Sequence, residues 1–397
     1  MDFPTVRNTV DRLLLEQALY APLELLLAEG RLSFADYEAW RCGEIATLEE
    51  LLAGNPARIR ARLEQADHYA AALGLRAERR EYPAWGEGTG RQLRISSDAA
   101  LDDLCRIHYL RNANEVQLDL FMDNSGNVLV NSVVAALASR RAEEAATLLE
   151  RLRETDPSHL RLGGLEALCA AAQRPVMADV EAETAFLEGN LTPLATAELG
   201  AAARDFLTPF WRRLGEALGE RPFAVEMPQM HASYALARAL DWAGVRQAVL
   251  AERTWRDSPL LRLRLAEALY HLGERREALA QWCLLCWDFP RDAERALAGG
   301  KLPDKELQPA WERYRDLDVE PEPDAPFFPA WLLLERPELR AALTAEDAPQ
   351  THPAGRAYVA LHKLPAGAAT LSEQTMALRL QLKQAHPGLF AIYLRTL

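Results

Sequence analysis

Residues 259–292 read PLLRLRLAEALYHLGERREALAQWCLLCWDFPRD. Leucines and alanines at helical spacing run up to Gly273, resume after it and stop at Pro290. Glycine favours the left-handed backbone that closes a helix, and proline cannot continue one, so the stretch predicts two helices joined by a tight turn. Cys283 and Cys286 fall one helical turn apart in the second of these helices. Neither a second CxxC nor a nearby histidine pair completes four ligands, so the two are expected to be buried thiols and not a zinc site.

The same spacing extends outward from this stretch. Leu265, Ala266, Tyr270, Gly273, Ala278, Trp282 and Pro290 stand in a frame of about 34 residues that resembles the tetratricopeptide repeat, in which small residues let two antiparallel helices approach. A frame from Gly126 carries Ala145 and Pro157, with Arg140 where the turn glycine would stand. A shortened copy, HASYALARALDWAGVRQAVLAERTWRDSP, carries Tyr234, Gly244 and Pro259. The resemblance spans 126–292 with an irregular middle. It implies an α-solenoid whose groove takes a protein or peptide partner.

Helix punctuation is equally plain near the start. Ser33 with Asp36, and Thr47 with Glu50, have N-cap spacing, the second pair forming a capping box. Asn55, Pro56 and Gly74 bracket a helix whose Ile59, Leu63, Ala66, Ala70 and Leu73 share a face. Three glycines at 86, 88 and 90 interrupt the pattern and read as a loop leading to an extended piece at 91–96. Ser97 or Asp98 caps the next helix, with Asp102 and Asp103 in its first turn. The reading is an all-α protein: a helical domain over 1–112, a repeat array over 113–300, and a proline-rich linker with a helical cap over 301–397. A second stretch of extended character is expected at 115–122.

Composition narrows the function classes. Of 397 residues 49% are apolar and 26% charged, the proportions of a soluble globular chain. The net charge of −13 disfavours nonspecific nucleic-acid binding, which depends on neutralising phosphates, so direct contact with nucleic acid is not expected. Lysine occurs only at 301, 305, 363 and 383, and this arginine- and alanine-rich usage suggests a GC-rich bacterial source. Five widely spaced cysteines, and an N-terminal stretch broken by charges, predict a cytoplasmic chain with free thiols and no membrane span.

Sites for chemistry are scarce. His271 and Glu274 sit at a turn with no third ligand, DNSGN at 123–127 lacks the glutamate of a calcium loop, and adjacent Ser158 and His159 diverge on a helix. No catalytic residue, metal or cofactor is therefore expected. The exception is Gln117, Leu118, Asp119, Leu120 and Phe121, which resemble letter for letter the pentapeptide that docks bacterial replication and repair proteins on the DNA sliding clamp. Such peptides work by seating a few apolar anchors. Against this, Val116, Leu118, Leu120 and Met122 alternate, and Leu118, Phe121 and Met122 also fit one helical face, so packing into a core is expected before display. The primary expectation is a non-catalytic interaction or scaffold protein. A clamp-associated accessory factor is the first alternative and an enzyme with a dispersed site the second.

Overall fold

The computed structural model describes residues 3–17, 19–86, 91–110, 124–175, 179–299, 302–304, 306–320, 322–364 and 372–396. The chain divides into two compact units, Met1–Asp241 and Trp242–Leu397. Both are helical, so the all-α class is observed, with a small sheet added in the first unit.

In the first unit, α1 (Phe3–Gln17), α2 (Pro22–Ala28), α3 (Phe34–Arg41), α4 (Pro56–Ala72) and α5 (Ala99–Arg106) accompany strands β1 (Leu19–Tyr20), β2 (Arg76–Arg79) and β3 (Ile107–Leu110). The strands pair antiparallel in the order β1-β3-β2, with Tyr109 opposite Tyr20 on one side and Ala77 on the other. One apolar core gathers residues from Val6 to Tyr109, with Tyr20, Trp40 and Leu63 sealed inside. Ser33 accepts from the Asp36 amide, Asn55 from Arg58 and Asp98 from Ala100, so the local caps operate as their spacing predicts.

Thr47 does not behave as its spacing suggests. The chain beyond it makes a single 3-10 turn, Glu49–Leu51, entered from Leu48. The Leu48 amide donates to the Ile95 carbonyl, and the Glu49 carboxylate accepts from Ser96 and Ser97. Long-range bonds on either side of the expected cap, at Leu48 and Glu49, hold the chain in this short turn in place of a capped helix. The expected extended piece at 91–96 forms an isolated bridge, Pro83 to Gln92, and is held further by Trp40 Nε1 and Arg106 donating to its Arg94 and Leu93 carbonyls.

Beyond α6 (Asn124–Ala138) come α7 (Ala142–Thr155), α8 (Leu162–Gln173), α9 (Val180–Phe186), a π turn at Leu187–Leu191, α10 (Thr192–Leu199), α11 (Ala203–Leu218) and α12 (Ala232–Arg238). α6 and α7 form a hairpin whose turn residue is Arg140, at φ 58. The Arg140 amide donates to the Leu137 carbonyl and Arg141 to Ala136, the paired bonds that close a helix through one left-handed residue. α12 ends identically. Leu240 stands at φ 57, its amide donating to Ala237 and that of Asp241 to Leu236. The turn position in that copy is therefore Leu240, and Gly244 lies inside the next helix.

The second unit begins with α13 (Trp242–Ala251), and α14 (Pro259–His271), α15 (Arg275–Asp288), α16 (Pro290–Ala298), α17 (Leu307–Arg315), α18 (Phe328–Glu335), α19 (Leu339–Ala342), α20 (Pro353–Lys363), α21 (Glu373–Ala385) and α22 (Pro387–Arg395) share a core that runs from Ala266 to Tyr393. α14 and α15 form the expected hairpin, with Gly273 at φ 82 donating to Tyr270 and Glu274 to Leu269. The acidic proline-rich stretch after Arg315 is packed against the core: Tyr314 Oη donates to the Asp324 carbonyl at 3.0 Å, and Ala325 and Phe327 are buried. Among the described residues no helix is long and apolar enough to cross a membrane.

Candidate functional site

The residues singled out for chemistry are mostly accounted for structurally. His271 stacks on Trp242 at 4.2 Å between ring centroids, and Glu274 binds Arg246 at 2.6 Å. Cys283 and Cys286 are each 1% exposed, and burial pushes both thiols far up, which keeps them protonated and inert. Ser158 turns to Asp156 while His159 Nδ1 accepts from the Arg161 amide. Asn124 to Asn127 form the first turn of α6. Gln117, Leu118, Asp119, Leu120 and Phe121 lie outside the described residues.

A polar cleft of about 300 Å³ lies in the first unit, assembled from six separate stretches. Pro22 opens α2 and places Glu24 in its first turn. Ser33 fixes the start of α3, so Tyr37 and Arg41, four residues apart, come to one face. The segment after β2 contributes Arg80, Glu81, Tyr82 and Trp85, and β3 contributes His108. Gly200, at φ 55, ends α10, and the 3-10 turn Gly200–Ala202 then delivers Arg204 and Asp205 in the first turn of α11.

The ion pairs in this cleft are unevenly shared. Arg204 grips both oxygens of Glu24 at 2.9 Å and also reaches Asp205 Oδ1 at 3.0 Å. Burial would raise the Glu24 pKa, but the Arg204 guanidinium and a bond from Gln17 hold it below the usual carboxylate range. At Asp205 burial prevails and the pKa is raised, with Arg204 and Arg41 opposing. Arg80 binds Glu78 at 2.9 Å, and Glu81 is held by Arg106 at 2.7 Å. Arg41 differs. It is 9% exposed, donates to the Tyr37 hydroxyl at 2.9 Å and the Pro83 carbonyl at 3.3 Å, and has no carboxylate within ion-pair distance among the described residues; its Nε is buried without a partner. Its guanidinium lies over the rings of Trp85 at 4.6 Å, Tyr82 at 5.6 Å and Tyr37 at 5.8 Å.

No family model, curated protein or solved structure matches this chain. The cleft must therefore be read from its own chemistry. Burial, with Arg80 nearby, brings His108 down to about 4, and its Nε2 lies 2.8 Å from the Tyr82 hydroxyl. Burial pushes Tyr37 up to about 12 and Tyr82 well above its ordinary value. At neutral pH the imidazole and both phenols are uncharged, while Arg41 and Arg204 are cations. The histidine and tyrosines are thus locked in one protonation state, which suits recognition better than proton transfer.

A second cation braces the wall. Arg140 Nη1 binds Glu38 at 2.7 Å, a carboxylate that Arg212 also holds, and its guanidinium lies 4.2 Å from the Trp85 ring centroid. Its Nε donates to the Asp205 carbonyl at 3.1 Å. That carbonyl needs an outside donor, because its helical partner would be the nitrogen of Pro209, which carries no hydrogen. The Tyr37–Arg41 spacing, four residues apart on one helix, is a local signal for the cleft. Glu24 and Arg204, 180 positions apart, gave none.

Proposed function

We propose that this protein is a non-catalytic binding protein, which retains a partner molecule without transforming it. Helical hairpins supply the frame, in keeping with the interaction or scaffold role implied by the tetratricopeptide resemblance, and the cleft of the first unit is where the partner or part of it is seated. The observation that carries this reading is Arg41. A guanidinium buried to 9% exposure, and matched only by two neutral oxygens, is an arrangement completed by something from outside. The neighbouring ion pairs support the same view, since they fix the walls on which a partner would rest.

The test compares the wild-type protein with Ala202→Trp, a substitution at a half-buried residue of the cleft wall. Both are incubated with a small-molecule extract, and the retained and free compounds are identified by mass spectrometry. Wild type should enrich one or more compounds unchanged, and the tryptophan variant should not. Consumption of a compound with appearance of a product would make the protein an enzyme. Equal retention by both proteins would move the site elsewhere.

A further inference from the structure

We infer that the cleft of the first unit receives a carboxylate, as a monoanion on a short flat or apolar body, with Arg41 as its ion-pair partner. The inference rests on the binding reading above and names its ligand class. The placement of the ion pairs selects the class. Among the cleft cations, Arg204 already answers Glu24 and Asp205, and Arg80 answers Glu78. Arg41 alone lines the cleft without a carboxylate at contact distance among the described residues. Its charge reaches Asp205 only through space, where it opposes the effect of burial on that acid. The contact position at the Arg41 guanidinium is therefore open, although Arg41 and Arg204 together only balance Glu24 and Asp205. A phosphate dianion would face Glu24, Glu81 and Asp205 on the same walls.

Geometry selects the body of the ligand. A cavity of about 300 Å³ is at the small end for ligand sites, large enough for a side chain or a compound of similar size. Its walls alternate the rings of Tyr37, Tyr82 and Trp85 with Leu19, Leu23 and Ala138, surfaces that favour planar or short aliphatic groups. A guanidinium offers a planar fork that matches a carboxylate, and a charge-assisted pair in a partly dry cleft is stronger than a neutral hydrogen bond. The same chemistry is offered by a free small carboxylate and by the end of a peptide.

Calorimetric titration of the full chain separates these cases, using benzoate, 3-phenylpropionate and hexanoate as free acids, benzamide as the neutral counterpart, inorganic phosphate, and a tripeptide ending in phenylalanine as acid and as amide. The free carboxylates should bind at least about tenfold more tightly than benzamide or phosphate, the difference expected for one charge-assisted contact. Preference for the peptide acid over its amide, with the small acids weaker, identifies a chain terminus as the source and still supports the carboxylate. Arg41→Gln should weaken the binding carboxylate about tenfold or more, Arg41→Lys should restore part of it, and Ala202→Trp should abolish it. Because Arg41→Gln could unfold the unit, the tryptophan variant and the lysine variant keep the test decisive. Equal binding of acid and amide, blocked by Ala202→Trp, would overturn the carboxylate while leaving a binding cleft. Absence of binding by every acid, or binding indifferent to Ala202→Trp, would overturn the inference at this site.

Discussion

Replacing Arg140 by glycine sets two effects against each other, and their sizes can be worked out. Glycine would relieve the left-handed conformation at φ 58, worth about 1–2 kcal/mol for a residue with a side chain. The same change removes the charged donor to the Asp205 carbonyl, which Pro209 leaves without a helical partner, at a cost of about 1.5–3 kcal/mol. It also removes one of two guanidinium groups on Glu38, whose side chain is 9% exposed, at about 1–3 kcal/mol, between the values for exposed and buried pairs. Contact with the Trp85 ring adds about 0.5–1 kcal/mol. The losses exceed the gain, and Arg140→Gly should destabilise the first unit by about 1–6 kcal/mol. Arg140→Ala keeps the strain and loses the contacts, so it should be worse than glycine by a further 1–2 kcal/mol or so. Urea unfolding followed by circular dichroism and tryptophan fluorescence, with one transition fitted for each unit, measures both. A glycine variant as stable as the wild type would show that relief of the backbone strain balances all the contacts described for this side chain, and would refute the ordering.

Acid should weaken the second unit through His386, which is fully buried and accepts the Leu389 amide on Nδ1 at 3.1 Å. Burial lowers its pKa to about 4, below the unfolded value of about 6.5, so its contribution is complete above pH 6.5 or so and is lost as the pH falls towards 4, up to about 3 kcal/mol in all. His386→Asn keeps a capping oxygen and should flatten the fall in melting temperature between pH 7 and 4.5; an unchanged fall would refute this. If Gln117 to Phe121 form a clamp-docking peptide, Leu120→Ala with Phe121→Ala should abolish sliding-clamp binding and leave the melting temperature nearly unshifted. A large drop in melting temperature instead, at about 2–5 kcal/mol per buried side chain removed, would assign them to the core.

What could be read from the sequence was local. The caps at Ser33, Asn55 and Asp98, the closing Gly74 and the hairpin at Gly273 depend on residues within one turn of each other, and each stands where its spacing predicts. The sheet was not legible, because β2 is the charged stretch RAER, which becomes a strand only by pairing with β3, and β3 leaves α5 without an intervening turn residue. Thr47 failed for a related reason: the chain at Leu48 and Glu49 is tied to Ile95, Ser96 and Ser97, nearly fifty residues on. The turns at Arg140 and Leu240 carry no glycine, so the register of those copies could not be found by looking for one. The cleft was the least visible feature, since its members come from residues 17 to 205 and most of them meet only through the fold.

The aromatic setting of Arg41 explains how such a charge is tolerated in the folded chain. A buried guanidinium lacking a carboxylate would ordinarily cost several kcal/mol in lost hydration. Here three ring faces lie within 6 Å of it, each contributing roughly 0.5–2 kcal/mol, and two neutral oxygens take two of its donors. That environment offsets the desolvation without neutralising the charge, whereas a resident carboxylate like the one Arg204 has in Glu24 would neutralise it. The rings are held in turn by contacts unrelated to any ligand: Trp85 by Arg140, Tyr82 by His108 and Trp40, and Tyr37 by Trp40 and Phe34. An incoming carboxylate would therefore meet a guanidinium already oriented, and the cost of ordering the site would have been met in folding. A neutral isostere of the same shape gains the ring contacts and not the charge pairing, which is why the comparison of acid with amide, and not affinity alone, reports on Arg41.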